Sequence, residues 1–298
     1  MTIVIGSRGS QLALWQARHI SEMLSPLGAE PLIEVIKTTG DRITDVPLAK
    51  VGGKGLFTKE IEEALLAGTI DLAVHSLKDV PSEIPSGLTL AAIPEREDPR
   101  DALVGHPLAE LGDGAKVGTS SLRRGAQLHA LGQGITIEML RGNVDTRLRK
   151  LDDGQYDAIV LAAAGLRRLS LEHRIRELLS PDVMCPAVGQ GALAIETRSE
   201  GAGFDFARQL DHAETRAAIT AERALLATLE GGCQVPIGGY AIVKDGLIYL
   251  RAIVASPDGS RIVKGELAGS DPVEIGTSLA NDLLSRGARE ILDQVYAA

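Results

Sequence analysis

Ile70-Asp71-Leu72-Ala73-Val74-His75-Ser76-Leu77-Lys78-Asp79-Val80-Pro81 decides the fold. An apolar run from Ile70 to Val74 leads directly into His75, Ser76, Lys78 and Asp79, and Pro81 then stops regular structure. A buried strand that ends in polar groups is a common rim for a site in an α/β protein. Lys78 and Asp79 are neighbours, so a continued strand would send them to opposite faces, whereas a tight turn brings both to one side. A solvated turn with a surface ion pair is the plain alternative.

Outward from this strand, the chain alternates strand and helix patterns. Ile3–Ile5 reads as a strand, and Leu12, Trp15, His19, Ile20 and Met23 recur at helical spacing after Ser10, a candidate N-cap. Leu32–Ile36 and Leu88–Ile93 read as strands, and Leu56–Ala67 as a helix. Further on, a helix over Ser121–Leu131, a strand over Ile135–Leu140, a helix over Val144–Leu151 and a strand over Ala158–Ala162 repeat the theme. Such alternation implies mainly parallel sheets with helices on both faces. Leu65-x-x-Gly68-x-x-Asp71-x-x-Val74 also recurs as Leu151-x-x-Gly154-x-x-Asp157-x-x-Val160, an echo that favours two related domains facing each other across a cleft. Asp98-Pro99-Arg100-Asp101 is a plausible first crossing between them. Cys185-Pro186 to Gly189-Gln190-Gly191 is a second, returning the strand Ala192–Glu196 to the first domain.

The last part differs. A helix pattern over Glu214–Leu229 ends in Gly231-Gly232, and alternating strands follow at Tyr240–Val243, Leu247–Val254 and Arg261–Glu266. Lys244-Asp245-Gly246 and Pro257-Asp258-Gly259 are the turn signals between them, and one terminal helix is expected over Glu274–Leu292. The expected organisation is residues 1–96 plus 190–212 as an α/β domain, 97–189 as a second, and 213–298 as a smaller α+β domain with an antiparallel sheet.

Composition narrows the function. Of 298 residues, 44% are hydrophobic and 24% charged, as in ordinary soluble domains. Aromatics at 3% and a net charge of −9 argue against a nucleic-acid partner. No signal-peptide pattern or membrane-spanning run is visible, so a cytoplasmic protein with no membrane partner is expected. Cys185 and Cys233 stand apart, excluding a disulfide framework and a CxxC metal pair. The histidines are scattered without metal spacing, so no metal is expected. Charge is uneven, however: Lys116–Arg176 holds eleven Lys and Arg against six Asp and Glu, while Ile195 to the end holds ten against fifteen. A basic middle in an acidic chain suggests a local site for a small, multiply charged anion.

Three segments at strand-to-helix turns supply the equipment. Gly6-Ser7-Arg8-Gly9-Ser10 offers amides, a hydroxyl and a guanidinium at a helix N-terminus. Gly118-Thr119-Ser120-Ser121-Leu122-Arg123-Arg124 repeats the combination, and Arg141-Gly142-Asn143 with Arg147 forms a third cluster. Arginine forks suit carboxylates as well as phosphates, and the first turn lacks the spacing of a P-loop. Lys50-Val51-Gly52-Gly53-Lys54-Gly55 reads as a lid or a solvated linker. Cys233, in Gly231-Gly232-Cys233-Gln234-Val235-Pro236, is either a buried structural thiol or a nucleophile with room for a bulky adduct.

Assembled, these segments closely resemble the porphobilinogen deaminase (hydroxymethylbilane synthase) family over nearly the whole chain. The resemblance is carried by Gly6–Ala17, Gly52–Phe57, His75–Pro81, Glu97–Asp101, Gly118–Arg124, Arg141–Arg147, Gly189–Gly191 and Gly231–Gly238. Gln11 stands where family members often have Pro, a change the first helical position tolerates. The resemblance implies two α/β domains like type II periplasmic binding proteins, plus a third α+β domain. It also implies condensation of four porphobilinogens, with loss of ammonia, on a dipyrromethane primer held by a thioether, here at Cys233. Asp79 would be catalytic, holding pyrrole N–H groups and stabilising the cation that develops on the ring. Arg8, Lys78, Ser121, Arg123, Arg124, Arg141, Arg147 and Arg168 would bind acetate and propionate groups, with Ser10, Thr119 and Gln190 as further binding residues and Lys50 and Lys54 in the lid. A primer extended by four units carries about a dozen carboxylates, whose burial requires paired cations. A monomer with porphobilinogen as its partner is expected. The rivals are a non-enzymatic two-domain binding protein for an anionic metabolite, which leaves Asp79 and Cys233 unexplained, and a cysteine-dependent transferase or hydrolase, which requires an alkylatable thiol.

Overall fold

The structure is a computed structural model that describes residues 1–42, 56–231 and 235–297. The chain divides into two compact units, residues 1–97 with 192–216, and residues 98–191 with 217–298.

In the first unit, β1 (Thr2–Ser7) leads through α1 (Gln11–Leu24) to β2 (Glu30–Val35), and a short α2 (Thr39–Arg42) follows. Then come α3 (Lys59–Leu66), β3 (Leu72–Ser76) and β4 (Leu88–Ala92). The sheet order is β2-β1-β3-β10-β4, where β10 is Leu193–Arg198. β1 is parallel to β2 and β3, while β10 runs antiparallel to both neighbours. One sheet face buries Ile3, Ile5, Leu72, Val74 and Ile195 against Ala17, Ile20 and Leu24 of α1. On the other, Ala73 packs with Ile61 and Leu65 of α3. The alternation along β3 therefore has two buried faces, as its uninterrupted apolar run requires.

The second unit repeats this plan. β5 (Asp101–Gly105), β6 (Lys116–Gly118), α4 (Leu122–Ala130), β7 (Thr136–Glu138), α5 (Val144–Asp152), β8 (Ala158–Ala162), α6 (Ala163–Arg168) and β9 (Glu177–Leu178) form a sheet of order β7-β6-β8-β5-β9. Again the fourth strand is the reversed one, with β5 antiparallel to β8 and β9. Both sheets are thus mainly parallel with one reversed strand. The sequence echo is physical. Thr69 N–H donates to Ala64 O at 3.1 Å and Gly68 N–H to Leu65 O at 3.1 Å, and their counterparts are Gln155 to Lys150 at 3.1 Å and Gly154 to Leu151 at 2.9 Å. This is the Schellman pair of bonds, with Gly68 and Gly154 both at φ +72°, where a Cβ would be strained. Asp71 then accepts from Val4 N–H at 2.9 Å and Asp157 from Lys116 N–H at 2.7 Å, so each aspartate ties the start of a new strand to its parallel neighbour, β3 to β1 and β8 to β6.

After β10 come α7 (Ala202–Ala207) and α8 (Ala213–Thr228). β11 (Ile237–Lys244), β12 (Leu247–Ala255) and β13 (Ile262–Gly269) make an antiparallel sheet. Ile248, Leu250, Ala252 and Val254 of β12 share a core with Leu225 of α8, with Leu229 just beyond its end, and with Leu279 and Leu283 of α9 (Pro272–Leu283). The single terminal helix expected from periodicity is two helices. Gly287 takes φ +104° inside a π turn at Leu284–Ala288, and α10 (Arg289–Ala297) starts afresh.

Candidate active site

On the first unit, two strand ends carry the candidates. β3 passes directly into a 3₁₀ turn, Leu77–Asp79, in which Leu77 is buried, Lys78 half-buried and Asp79 exposed. Leu77 N–H donates to Ala192 O at 3.0 Å and Val80 N–H to Leu77 O at 3.0 Å, which closes the turn before Pro81. Two buried side chains hold the strand end from opposite faces. Gln16 of α1 donates to Ser76 Oγ at 2.8 Å, and His75 Nε2 lies 2.9 Å from Glu196 Oε2 of β10. In the β1–α1 turn, Ser10 is the N-cap, its Oγ accepting from Ala13 N–H at 3.3 Å. Arg8 lays its guanidinium over the Phe57 ring, 4.0 Å from the centroid, a cation–π contact that sets its direction. A Cβ on Gly40 would come within 2.2 Å of that ring, so glycine there leaves room for Phe57.

On the second unit, Ser121 caps α4, accepting from Arg124 N–H at 3.4 Å, and its own N–H donates to Thr119 Oγ1 at 3.1 Å. Arg123 and Arg124, the next two residues, turn inward. Arg123 Nη1 donates to Asp101 Oδ2 at 2.7 Å and to Cys185 O at 2.7 Å. Arg124 reaches Asp101 Oδ1 through Nε at 2.9 Å and Val160 O through Nη1 at 2.9 Å. Gln190 Nε2 adds a bond to the same Asp101 oxygen at 3.0 Å and one to Pro99 O at 2.7 Å. Asp101 is 0% exposed. Burial works to raise its pKa, but the Arg123 and Arg124 charges, with the Arg123 and Gln190 hydrogen bonds, outweigh it and hold the carboxyl far below the usual range. Asp101, expected only as part of a crossing between domains, is instead the buried anchor of the two arginines. Its signal was an acid placed directly before the apolar run Ala102-Leu103-Val104, in a chain with two arginines to neutralise.

The third cluster sits at the start of α5. Asn143 caps it, accepting from Thr146 N–H at 3.0 Å, and Arg147 Nε donates to Gly142 O at 2.7 Å. Arg141 and Arg147 are half-buried. Arg168 at the end of α6 is buried and donates to Gly191 O at 2.6 Å. Lys50, Lys54 and Cys233 lie outside the described residues. Among the described residues Cys185 is the free cysteine; burial pushes its thiol up to about 12, so it is a poor nucleophile near neutral pH. A cavity of about 730 Å³ opens on the outer face of β11–β13, beside Tyr240, Tyr249 and Arg251, and among the described residues none of the predicted site residues lines it.

The family description "Porphobilinogen deaminase, dipyromethane cofactor binding domain" matches residues 3–204, and "Porphobilinogen deaminase, C-terminal domain" matches residues 216–285. A curated relative, the porphobilinogen deaminase of Syntrophobacter fumaroxidans, is 51% identical over 304 residues, covering 99% of this chain and 98% of that protein. The chain belongs to the porphobilinogen deaminase family.

Like the members of that family, it is a transferase that condenses four porphobilinogens head to tail, with release of ammonia, into hydroxymethylbilane. Its two five-stranded sheets are the type II periplasmic-binding-protein-like domains, and the β11–β13 sheet is the smaller third element. Solved structures similar to this chain include an ABC transporter periplasmic substrate-binding protein from Coxiella burnetii, at 12% identity, 70% of this chain, 91% of that chain and TM-score 0.44. A TRAP periplasmic solute binding protein from Desulfovibrio salexigens is similar at 12% identity, 71% of this chain, 72% of that chain and TM-score 0.43. The fold assignment rests on the strand orders and not on these likenesses. A dipyrromethane is a polycarboxylate; half-buried Arg8 and Lys78 on the first unit, and half-buried Arg141 and Arg147 on the second, have the donor chemistry that suits carboxylates.

Proposed function

We propose that the dipyrromethane is joined to Cys233 by a thioether and that Asp79 is the catalytic carboxylate. The choice of thiol is supported by Cys185, which is buried and held against ionisation, with its backbone engaged by Gln127 and Arg123. The bound primer supplies the pyrrole carbon at which the chain grows. Asp79 holds substrate pyrrole N–H groups and stabilises the positive charge that develops as ammonia leaves, a role supported by its exposure at the end of a turn whose backbone is fixed. Arg8 and Lys78 on the first unit, and Ser121, Arg141 and Arg147 on the second, bind the carboxylate side chains. Arg123 and Arg124 contribute from their anchorage on Asp101, with Ser10, Thr119, Arg168 and Gln190 completing the binding set and Lys50 and Lys54 forming the lid. Three domains, 1–96 with 190–212, 97–189 and 213–298, divide the work, each with its own sheet. The enzyme acts as a cytoplasmic monomer on porphobilinogen, in a reducing compartment that keeps the attachment thiol available.

The attachment is tested by peptide mapping. Cys185→Ala is expected to carry the primer on the Cys233 peptide as the unaltered protein does, and Cys233→Ala to carry none. Primer on the Cys185 peptide, or on Cys233→Ala, contradicts the proposal.

A further inference from the structure

Two ionisable side chains lie buried beneath the strand that carries the catalytic turn. His75 is 7% exposed and Glu196 0%. They stand 121 residues apart in sequence and meet diagonally across β3 and β10, since Ala73 pairs with Glu196 and His75 with Ala194. Both lie on the sheet face of Ala73, the face on which Ile61 and Leu65 of α3 pack. Glu62 of α3 faces them, and burial, together with the Glu196 charge, pushes its carboxyl up. A buried polar pair adds little stability over apolar side chains of the same volume. What it adds is a fixed geometry. Glu196 sits where the pairing of β10 with β4 shifts register, between Ile195 and Glu196, and such irregularities commonly re-aim the chain beside a site. The opposite face of the strand end has its own buried clamp, Gln16 on Ser76. Leu77, the next residue, is bonded to Ala192 of the segment entering β10.

We propose that His75 and Glu196 are positioning residues for the condensation, pinning β3 to β10 so that the Leu77–Asp79 turn presents Lys78 and Asp79 in one orientation. The inference rests on the reading of Asp79 as the catalytic carboxylate. A displacement of about 1 Å at a reacting group costs on the order of 100-fold in rate, so a bond four residues from Asp79 governs turnover without touching substrate.

The test is a double-mutant cycle on primer-loaded protein, with hydrogen exchange as a second readout. His75→Leu, which fills the space but removes the bond, is expected to lower kcat per loaded site by about 10- to 100-fold with KM within about twofold. It should also speed exchange at the Leu77 and Val80 amides. Glu196→Gln, which keeps a hydrogen-bonding oxygen in place, is expected to retain most of the turnover. In an Asp79→Asn background, His75→Leu is expected to cost less than about threefold more, because residues acting through one another are not additive. The same fold loss in both backgrounds, or unchanged exchange at Leu77 and Val80, overturns the proposal. If His75→Leu does not fold, Glu196→Leu carries the cycle from the β10 side, and failure of both to fold assigns the pair to the core and overturns it too. Near-normal turnover of Asp79→Asn alone refutes the Asp79 reading instead, and exchange at the two amides then decides the role of the pair.

Discussion

Asp79→Asn is expected to fold, to accept primer when loaded with preformed tetrapyrrole product, and to lose turnover by about 100- to 10,000-fold. The side chain is exposed, and the turn that carries it is closed by the Leu77 and Val80 amides, so an isosteric amide leaves the backbone unchanged. Asparagine keeps the shape but loses the negative charge that balances the ring cation, and with it the capacity to take and return a proton. Binding should survive because Arg8, Lys78, Arg141 and Arg147, the cations proposed to bind the carboxylates, are unchanged. The expected signature is therefore a collapse of kcat with substrate still captured, read as bound pyrrole per loaded protein against ammonia released. Turnover within about threefold of the unaltered protein contradicts the assignment.

Asp101→Ala should act on stability. The substitution leaves Arg123 and Arg124, both nearly fully buried, without the carboxylate they share, and also removes an acceptor from Gln190. Breaking a buried ion pair from one side costs about 3–5 kcal/mol. Urea unfolding followed by circular dichroism should show a loss of that order. pH gives a second handle. Because the folded-state pKa of Asp101 is depressed, its contribution is fully present above the unfolded carboxylate value near 3.9 and is lost as pH falls towards the folded value. The unaltered protein should therefore lose stability more steeply below about pH 4 than the variant does. A loss under about 1 kcal/mol, or identical acid sensitivity, contradicts this account.

How legible the molecule was depended on the range of the interactions. Strand and helix alternation, the stop of β3 just before Lys78-Asp79, and the Gly68 and Gly154 helix stops follow from local periodicity and backbone sterics, and each is present, with some element ends shifted by a few residues. The Leu65–Val74 echo marked equivalent elements because the same capping and the same aspartate-to-strand bond recur in both sheets. Arg123 and Arg124 were legible as cations but not as buried ones. Their direction is set by Asp101, Cys185 and Val160, contacts that no local pattern encodes. The His75–Glu196 pair was hidden for the same reason, since it depends on a strand returning after 121 residues. The break at Gly287 was a local signal outweighed by the helical periodicity on either side of it.

The central claim is that this chain builds its product on a covalently held primer, and intact mass tests it most directly. Purified protein should weigh more than its sequence by two linked pyrrole units. After a brief pulse of porphobilinogen it should show a ladder of one-unit additions reaching four. A mass equal to that of the bare chain before and after the pulse, with no gain on loading with preformed tetrapyrrole, would contradict the account.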